Sequence, residues 1–246
     1  MIAGCSRQSG AEGPLAPSQA SAYGLARPSR NLGVIIVASP LGAAIRVSRV
    51  PSGPRIATLP TITDGGPTWV PVIATRVGWY KVELLGPPNG ESGWVAASSV
   101  RTATDPYSIT VNLSTRTLMV YRDGVVVASW PAAIGAPATP TPVGTTYIAG
   151  DVSAVGVNAI EAPLLRPLAW HTTSALAASE FPALHTGGQV GVIAIHGWEG
   201  ENVNPTLWSS NGHGLAVTHG CIRLPARAVS GLLSKVPTGT PVIIQA

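Results

Sequence analysis

Two cysteines stand among 246 residues, and one of them has the neighbours a nucleophile needs. It lies in Thr218-His219-Gly220-Cys221-Ile222-Arg223. A second histidine, His196, closes the apolar run Ile193-Ala194-Ile195 and is followed by Gly197. Thiolate rather than thiol attacks a carbonyl carbon, and a nearby imidazole either takes the proton or, as imidazolium, lowers the thiol pKa. Gly220 adds a position where the backbone turns sharply and brings an N–H close to developing negative charge. Together these residues point to acyl transfer through Cys221. His196 is the better base of the two histidines, because a strand fixes it and Gly197 gives local backbone freedom. His219 is too near Cys221 along the chain to reach back as a base, and instead shapes the oxyanion turn. If the stretch is extended, Arg223 faces the same side as Cys221. Its guanidinium then either favours the thiolate and docks a substrate carboxylate, or pairs with an acid such as Glu199 or Glu201. The sequence leaves both open.

Those side chains need a scaffold, and composition says which kind. Hydrophobic residues make up 45% of the chain and charged residues 11%, with 28 Gly and 23 Pro. Val, Ile, Thr, Gly and Pro abound where Glu, Lys and Leu are sparse, which predicts a mainly β chain with many turns. The length allows two ordinary domains. Residues 190–195 predict a buried strand that ends on His196. Residues 197–214 form a turn-rich loop, the kind of segment that holds functional groups. Pro225 favours a first helical position and predicts a helix over 226–235; residues 240–245 predict a closing strand. Further upstream, residues 107–113 alternate polar and apolar side chains. Residues 117–122 and 125–130 flank Asp123-Gly124, a β-hairpin signal. Residues 134–144 read as a Gly/Pro loop, 147–149 as strand, and 172–180 as a short helix capped by Thr172.

Ahead of this region, residues 34–38, 44–50, 69–74, 78–84 and 93–95 predict short strands, with loops at Asp64-Gly65-Gly66-Pro67 and Gly86-Pro87-Pro88-Asn89-Gly90. The pattern Val77-Gly78-Trp79-Tyr80-Lys81-Val82, a Gly/Pro turn, then Gly93-Trp94-Val95 resembles bacterial SH3-like modules. Trp79 and Trp94 then read as barrel core in preference to ligand stacking. Residues 6–30 are rich in Ser, Gly, Ala, Pro and Gln and predict a flexible tether. The run Ile2-Ala3-Gly4-Cys5 resembles the lipobox of bacterial lipoproteins, although no charged and hydrophobic signal regions precede it. That resemblance makes Cys5 a lipidation candidate and implies a lipid anchor to the membrane; the alternative is a cysteine without consequence.

The segments Ile195-His196-Gly197 and Thr218-His219-Gly220-Cys221-Ile222-Arg223 together resemble the signature of L,D-transpeptidases with a YkuD-type catalytic domain. Residues 109–113 and 117–121, with Gly135 and Thr141-Pro142-Val143-Gly144-Thr145, are similar to that family's opening hairpin and Gly…Thr-Pro-x-Gly loop. The resemblance implies a YkuD-type β-sandwich with one or two short helices, following a small SH3-like barrel. The expected division is a leader over 1–30, an SH3-like domain over 31–103 and a catalytic domain over 105–246. It implies Cys221 as nucleophile and His196 as base, with Gly197 placed where a backbone carbonyl orients that histidine. The oxyanion hole falls to the amides of Gly220 and Cys221, with His219. Thr218, Arg223, Trp198 and Trp208 are the expected substrate-binding residues. Twenty-one residues separate His196 from Thr218, a longer gap than the family pattern, and the extra length carries Trp198 and Trp208 beside the groove. The implied reaction is attack on a peptidoglycan stem peptide, release of its terminal D-alanine, and 3→3 cross-linking by a neighbouring stem amine. Carbapenem β-lactams are the implied inhibitors, no cofactor is required, and the implied location is extracytoplasmic, on the cell-wall side.

Other readings stay in view. Papain-like wall peptidases also carry SH3-like modules, but there the cysteine precedes the histidine. Sortases share the order His, Cys, Arg, with the arginine far beyond the cysteine. A non-catalytic wall-binding protein on the same fold would not need the intact set. A zinc site from His196, His213, His219 and Cys221 lacks the paired spacings such sites use. The net charge of +4 rests on thirteen scattered Arg and two Lys, so no basic cluster favours nucleic acid. No apolar run reaches the ~18 residues of a membrane span.

Overall fold

The computed structural model describes residues 35–42, 44–153, 164–172, 191–198, 207–231 and 233–246. The leader with Cys5 lies outside the described residues, as do residues 173–180, Val190, Glu199, Glu201 and the side chain of Trp198.

The chain is mainly β, as its composition predicts. The first sheet is built from β1 (Ile35–Pro40), β2 (Ile45–Ser48), β3 (Arg55–Leu59), then, after the two-residue strands β4 (Ile62–Thr63) and β5 (Gly66–Pro67), from β6 (Val70–Arg76), β7 (Trp79–Glu83), β8 (Ser92–Ala96) and β9 (Val100–Asp105). Its order is β3-β2-β8-β7-β6-β1-β9. The strands β3 and β9 form its two edges, so among the described residues the expected barrel is not closed. The sequence pattern missed β9 because four of its six residues are exposed and polar or small, which leaves no apolar alternation to read. Trp94 is buried, with the Arg76 guanidinium 4.9 Å from its ring centroid.

Two further sheets follow. One has the order β12-β11-β10-β20-β14, from β10 (Tyr107–Asn112), β11 (Thr117–Arg122), β12 (Val125–Pro131), β14 (Gly144–Tyr147) and β20 (Pro241–Gln245). The β11–β12 hairpin turns at Asp123 (φ 53°) and Gly124 (φ 76°), the paired positive φ values that a two-residue turn with the right twist requires. The other sheet has the order β15-β16-β17-β19, from β15 (Val152–Ser153), β16 (Leu164–Thr172), β17 (Gly191–Trp198) and β19 (Ile222–Pro225). Two short strands, β13 (Ile134–Gly135) and β18 (Ala216–Thr218), pair in parallel beside it.

Several local expectations need correction. Residues 134–135 are strand within the segment read as loop, and the strand expected at 147–149 is shifted upstream to β14. Thr172 is the last residue of β16, and the helix expected after it lies outside the described residues. Strand β16 was hidden because Arg166 and Pro167 interrupt its apolar run. The helix expected over 226–235 is α1 (Ala226–Ser230), stopped at Gly231 and followed by a single 3-10 turn, Leu233–Lys235.

One core lies between these two sheets. Ile109, Val111, Leu118, Val120 and Trp130 from the first meet Leu168, Trp170, Ile193, Ile195, Ile222 and Leu224 from the second, with Ala228, Val229 and Leu233 closing one end. Each fully buried aliphatic side chain contributes about 1.5–3 kcal/mol. Because side chains alternate along a strand, spending Ile193, Ile195, Ile222 and Leu224 on this core turns Val192, Ala194, His196, Cys221 and Arg223 to the other face. The N-terminal core also takes in Tyr147, Ala149 and Ala169 from the later sheets, so the two parts share buried surface.

Candidate active site

Parallel pairing of β17 with β19 sets Ile195 opposite Ile222 and His196 opposite Arg223. On the face away from the main core, Cys221 forms a small buried cluster with Leu165, Val192 and Ala194. Leu165 lies opposite His196 in the β16–β17 ladder, and His196 is the next same-face residue after Ala194. The register therefore carries the thiol and the imidazole on one side of one sheet. Cys221 is 1% exposed and His196 is fully buried. The sulfur lies 3.9 Å from the Val192 carbonyl oxygen. His196 Nδ1 lies 3.2 Å from the Gly197 carbonyl oxygen. A carbonyl only accepts, so that contact assigns the proton to Nδ1 and the acceptor site to Nε2.

The turn at residues 218–221 is braced by hydroxyls. Thr218 Oγ1 donates to the Cys221 carbonyl at 2.6 Å and accepts from the Gly220 N–H at 3.2 Å. Thr141 Oγ1 donates to the Gly220 carbonyl and accepts from the Gly135 N–H, each at 2.9 Å. The Thr218 carbonyl takes two donors at 2.8 Å, the Thr139 hydroxyl and the Ala136 N–H. Gly220 holds φ 122°, a conformation that disfavours any side chain. Its N–H was expected to face an oxyanion; in this conformation the Thr218 hydroxyl holds it.

The remaining expected residues are distributed around this turn. Arg223 is half-buried and its backbone exchanges 2.9 Å hydrogen bonds with Ala133 in both directions. His219 is half-buried beside the turn. Trp208 is half-buried in a small hairpin bridged to Gly214, and His213 is exposed at that hairpin's turn. Among the described residues, no three His, Cys, Asp or Glu side chains come together as a metal set. Arg166, next to Leu165 on β16, is 1% exposed and held by Asp151 Oδ2 at 3.1 Å and by the Val236 carbonyl. Burial pushes its guanidinium down and Asp151 pulls it back.

Three residues around the turn went unsuspected in the sequence. Thr139 carries no signal of its own. Thr141 falls inside the quoted Thr-Pro-x-Gly pattern, but its role as a relay between Gly135 and Gly220 is a tertiary fact. Thr172 lies against the turn, since a Cβ on Gly220 would sit 3.5 Å from Thr172 Cβ.

Comparison with known proteins fits this architecture. Residues 106–244 match the family described as the L,D-transpeptidase catalytic domain, YkuD. That match takes in more than half of the chain, and the chain belongs to this family, whose members are transferases of the acyltransferase type. L,D-transpeptidase 1 of Mycobacterium tuberculosis (strain ATCC 25618 / H37Rv) is 28% identical over 134 residues, covering 53% of this chain and 47% of that protein. The chain thus spans about half the length of the curated relatives it matches. Among solved structures, the catalytic domain of an E. faecium L,D-transpeptidase overlays with a TM-score of 0.37 at 22% identity, covering 57% of this chain and 97% of that one. The L,D-transpeptidase of Mycobacterium smegmatis gives 0.42 at 15% identity, covering 87% and 99%. The L,D-transpeptidase LdtMt1 in complex with imipenem gives 0.42 at 16%, covering 86% and 98%. At such TM-scores the family assignment rests on the match over residues 106–244.

Proposed function

We propose that the protein is a peptidoglycan L,D-transpeptidase that works through a Cys221 thioester. In the proposed reaction the Cys221 thiol gives its proton to His196 Nε2 as sulfur attacks the stem-peptide carbonyl between the L-centre of a diamino acid and the terminal D-alanine. The C–N bond breaks, His196 returns the proton to the departing D-alanine amine, and a thioester remains. An amine of a neighbouring stem then displaces sulfur and forms a 3→3 cross-link, with His196 again carrying the proton. The tetrahedral oxyanion falls to the Cys221 amide and, once Thr218 releases it, to the Gly220 amide. Arg223 serves the substrate carboxylate, and Trp198 and Trp208 line the groove.

The observation that carries this reading is the shared sheet face: Cys221 packs on Val192 and Ala194, four and two residues before His196 on one strand. The Gly197 carbonyl at Nδ1 supports the tautomer a base requires. At 1% exposure the sulfur is covered in this conformation, so acylation includes an opening step. The N-terminal sheet, SH3-like in its sequence pattern, serves as an accessory module. The substrate places the enzyme outside the cytoplasm, and lipidation at Cys5 anchors it to the membrane.

Incubation with a carbapenem followed by intact-mass measurement tests the chemistry. The wild type gains one drug mass and Cys221→Ala gains none. A wild type that stays unmodified favours a wall-binding protein on the same fold. With stem-peptide donor, His196→Ala suppresses turnover far more than His213→Ala; equal losses would remove His196 as the base.

A further inference from the structure

The loop between β7 and β8 reaches from the N-terminal sheet to β16, a strand of the site. Strand β16 pairs with β15 at Leu165 and Leu164, and the same edge meets Ala149 at Pro167 and Ile148 at Leu168; beyond Leu168 no described strand takes it. Its pairing with β17 is also interrupted, because the register shifts between Pro167 and His171. At this weak place two groups from the β7–β8 loop step in. The Gly86 N–H donates to the Ala169 carbonyl at 3.4 Å. The Asn89 side chain then clasps His171 from both sides: its Nδ2 donates to the His171 carbonyl at 2.9 Å, and its Oδ1 accepts from the His171 N–H at 2.8 Å. One carboxamide thus reproduces the donor–acceptor pair that a neighbouring strand would supply.

What the clasp holds is next to the reacting atoms. His171 lies opposite Val192, and the Val192 carbonyl is the one 3.9 Å from the Cys221 sulfur. The next residue, Thr172, is the one that lies against Gly220. From this juxtaposition we infer that Asn89 is a positioning residue for the Cys221 turn, contributed by the N-terminal sheet across 82 residues of sequence. It acts through the β16 backbone and does not touch substrate. The inference rests on Cys221 being the nucleophile but adds a requirement that reading lacks: the accessory sheet must be docked, with this amide in place, for full acylation.

The test measures carbapenem acylation of the full chain by stopped mass spectrometry, over a range of drug concentrations, alongside thermal unfolding. Asn89→Ala lowers the saturating acylation rate roughly tenfold, the effect of two lost hydrogen bonds and a shifted wall, and leaves the half-saturating concentration in place. Glu83→Gln, a shape-conserving change at the same interface, leaves the rate unchanged. Asn89→Asp adds a second readout. Its carboxylate opposes the His171 carbonyl near neutral pH, whereas the protonated acid regains a donor. Its rate relative to wild type therefore rises as pH falls toward 4; Glu83, Glu91 and His171, the titratable groups around it, are common to both proteins and cancel in that ratio. Wild-type acylation with Asn89→Ala at the wild-type saturating rate, or a flat Asn89→Asp ratio, overturns the inference alone. A wild type that is never modified removes the nucleophile reading and this one with it.

Discussion

Glu83 offers a quantitative test of how the N-terminal sheet sits on the rest of the molecule. Its carboxyl is 5% exposed, on a strand whose neighbours Val82 and Leu84 belong to the N-terminal core. Burial pushes it from 4.5 to about 7, opposed by the Trp170 indole of β16. Neither Glu83 Oε1 nor the indole nitrogen has another hydrogen-bond partner. Across from it, the buried Tyr147 phenol is held well above its ordinary range, first by burial and then by Glu83 and Asp64. A carboxyl whose folded pKa lies above its unfolded one binds its proton more tightly when folded. The stability it confers is present in full below pH 4.5 and is lost as pH rises through 7. Ionising Glu83 in place costs roughly 3 kcal/mol more than in the unfolded chain. For a chain of this size that corresponds to about 6–12 °C in Tm. Glu83→Gln keeps the shape and removes the titration. Thermal unfolding at pH 4 and pH 8 is expected to show wild type falling by that amount more than Glu83→Gln. Parallel falls in the two proteins would refute the buried-carboxyl argument, because every other titrating group is common to both.

Two further changes probe the turn and its surroundings. Thr141→Val keeps the volume but strands the buried Gly135 N–H and Gly220 carbonyl, at about 1–3 kcal/mol each; melting drops by several degrees and carbapenem acylation slows at least tenfold, while the exposed Thr145→Val changes neither. Gly144→Ala drives a Cβ into the Trp170 ring at φ 143°, a strain of about 1–3 kcal/mol; lower melting and a red-shifted tryptophan emission are expected, and an unshifted spectrum with wild-type melting would contradict the packing.

The site was legible where its signals are local. A cysteine after a glycine, two histidines, and an Asp-Gly turn between alternating strands each announce themselves within a few residues, because rotamers, turn geometry and side-chain alternation are properties of short segments. Strand β9 and strand β16 stayed hidden for the same reason: a polar edge strand and a strand broken by Arg166 and Pro167 carry no periodicity to read. The pattern around Trp79 and Trp94 matches strands β7 and β8 but gave no sign of the edges β3 and β9, and whether such edges meet depends on how far the sheet twists and coils.

By itself the sequence determined the β character of the chain, the Thr218–Arg223 motif around Cys221 and the tight hairpin turns, all set by local stereochemistry and composition. Only the tertiary structure decided that Cys221 and His196 share one sheet face, that Thr141 links Gly135 to the Gly220 turn, and that Asn89 completes a strand edge 82 residues away. Those facts follow from the register of β17 against β19, and from backbone groups that must find hydrogen-bond partners once buried. No short segment encodes which distant partner it will find.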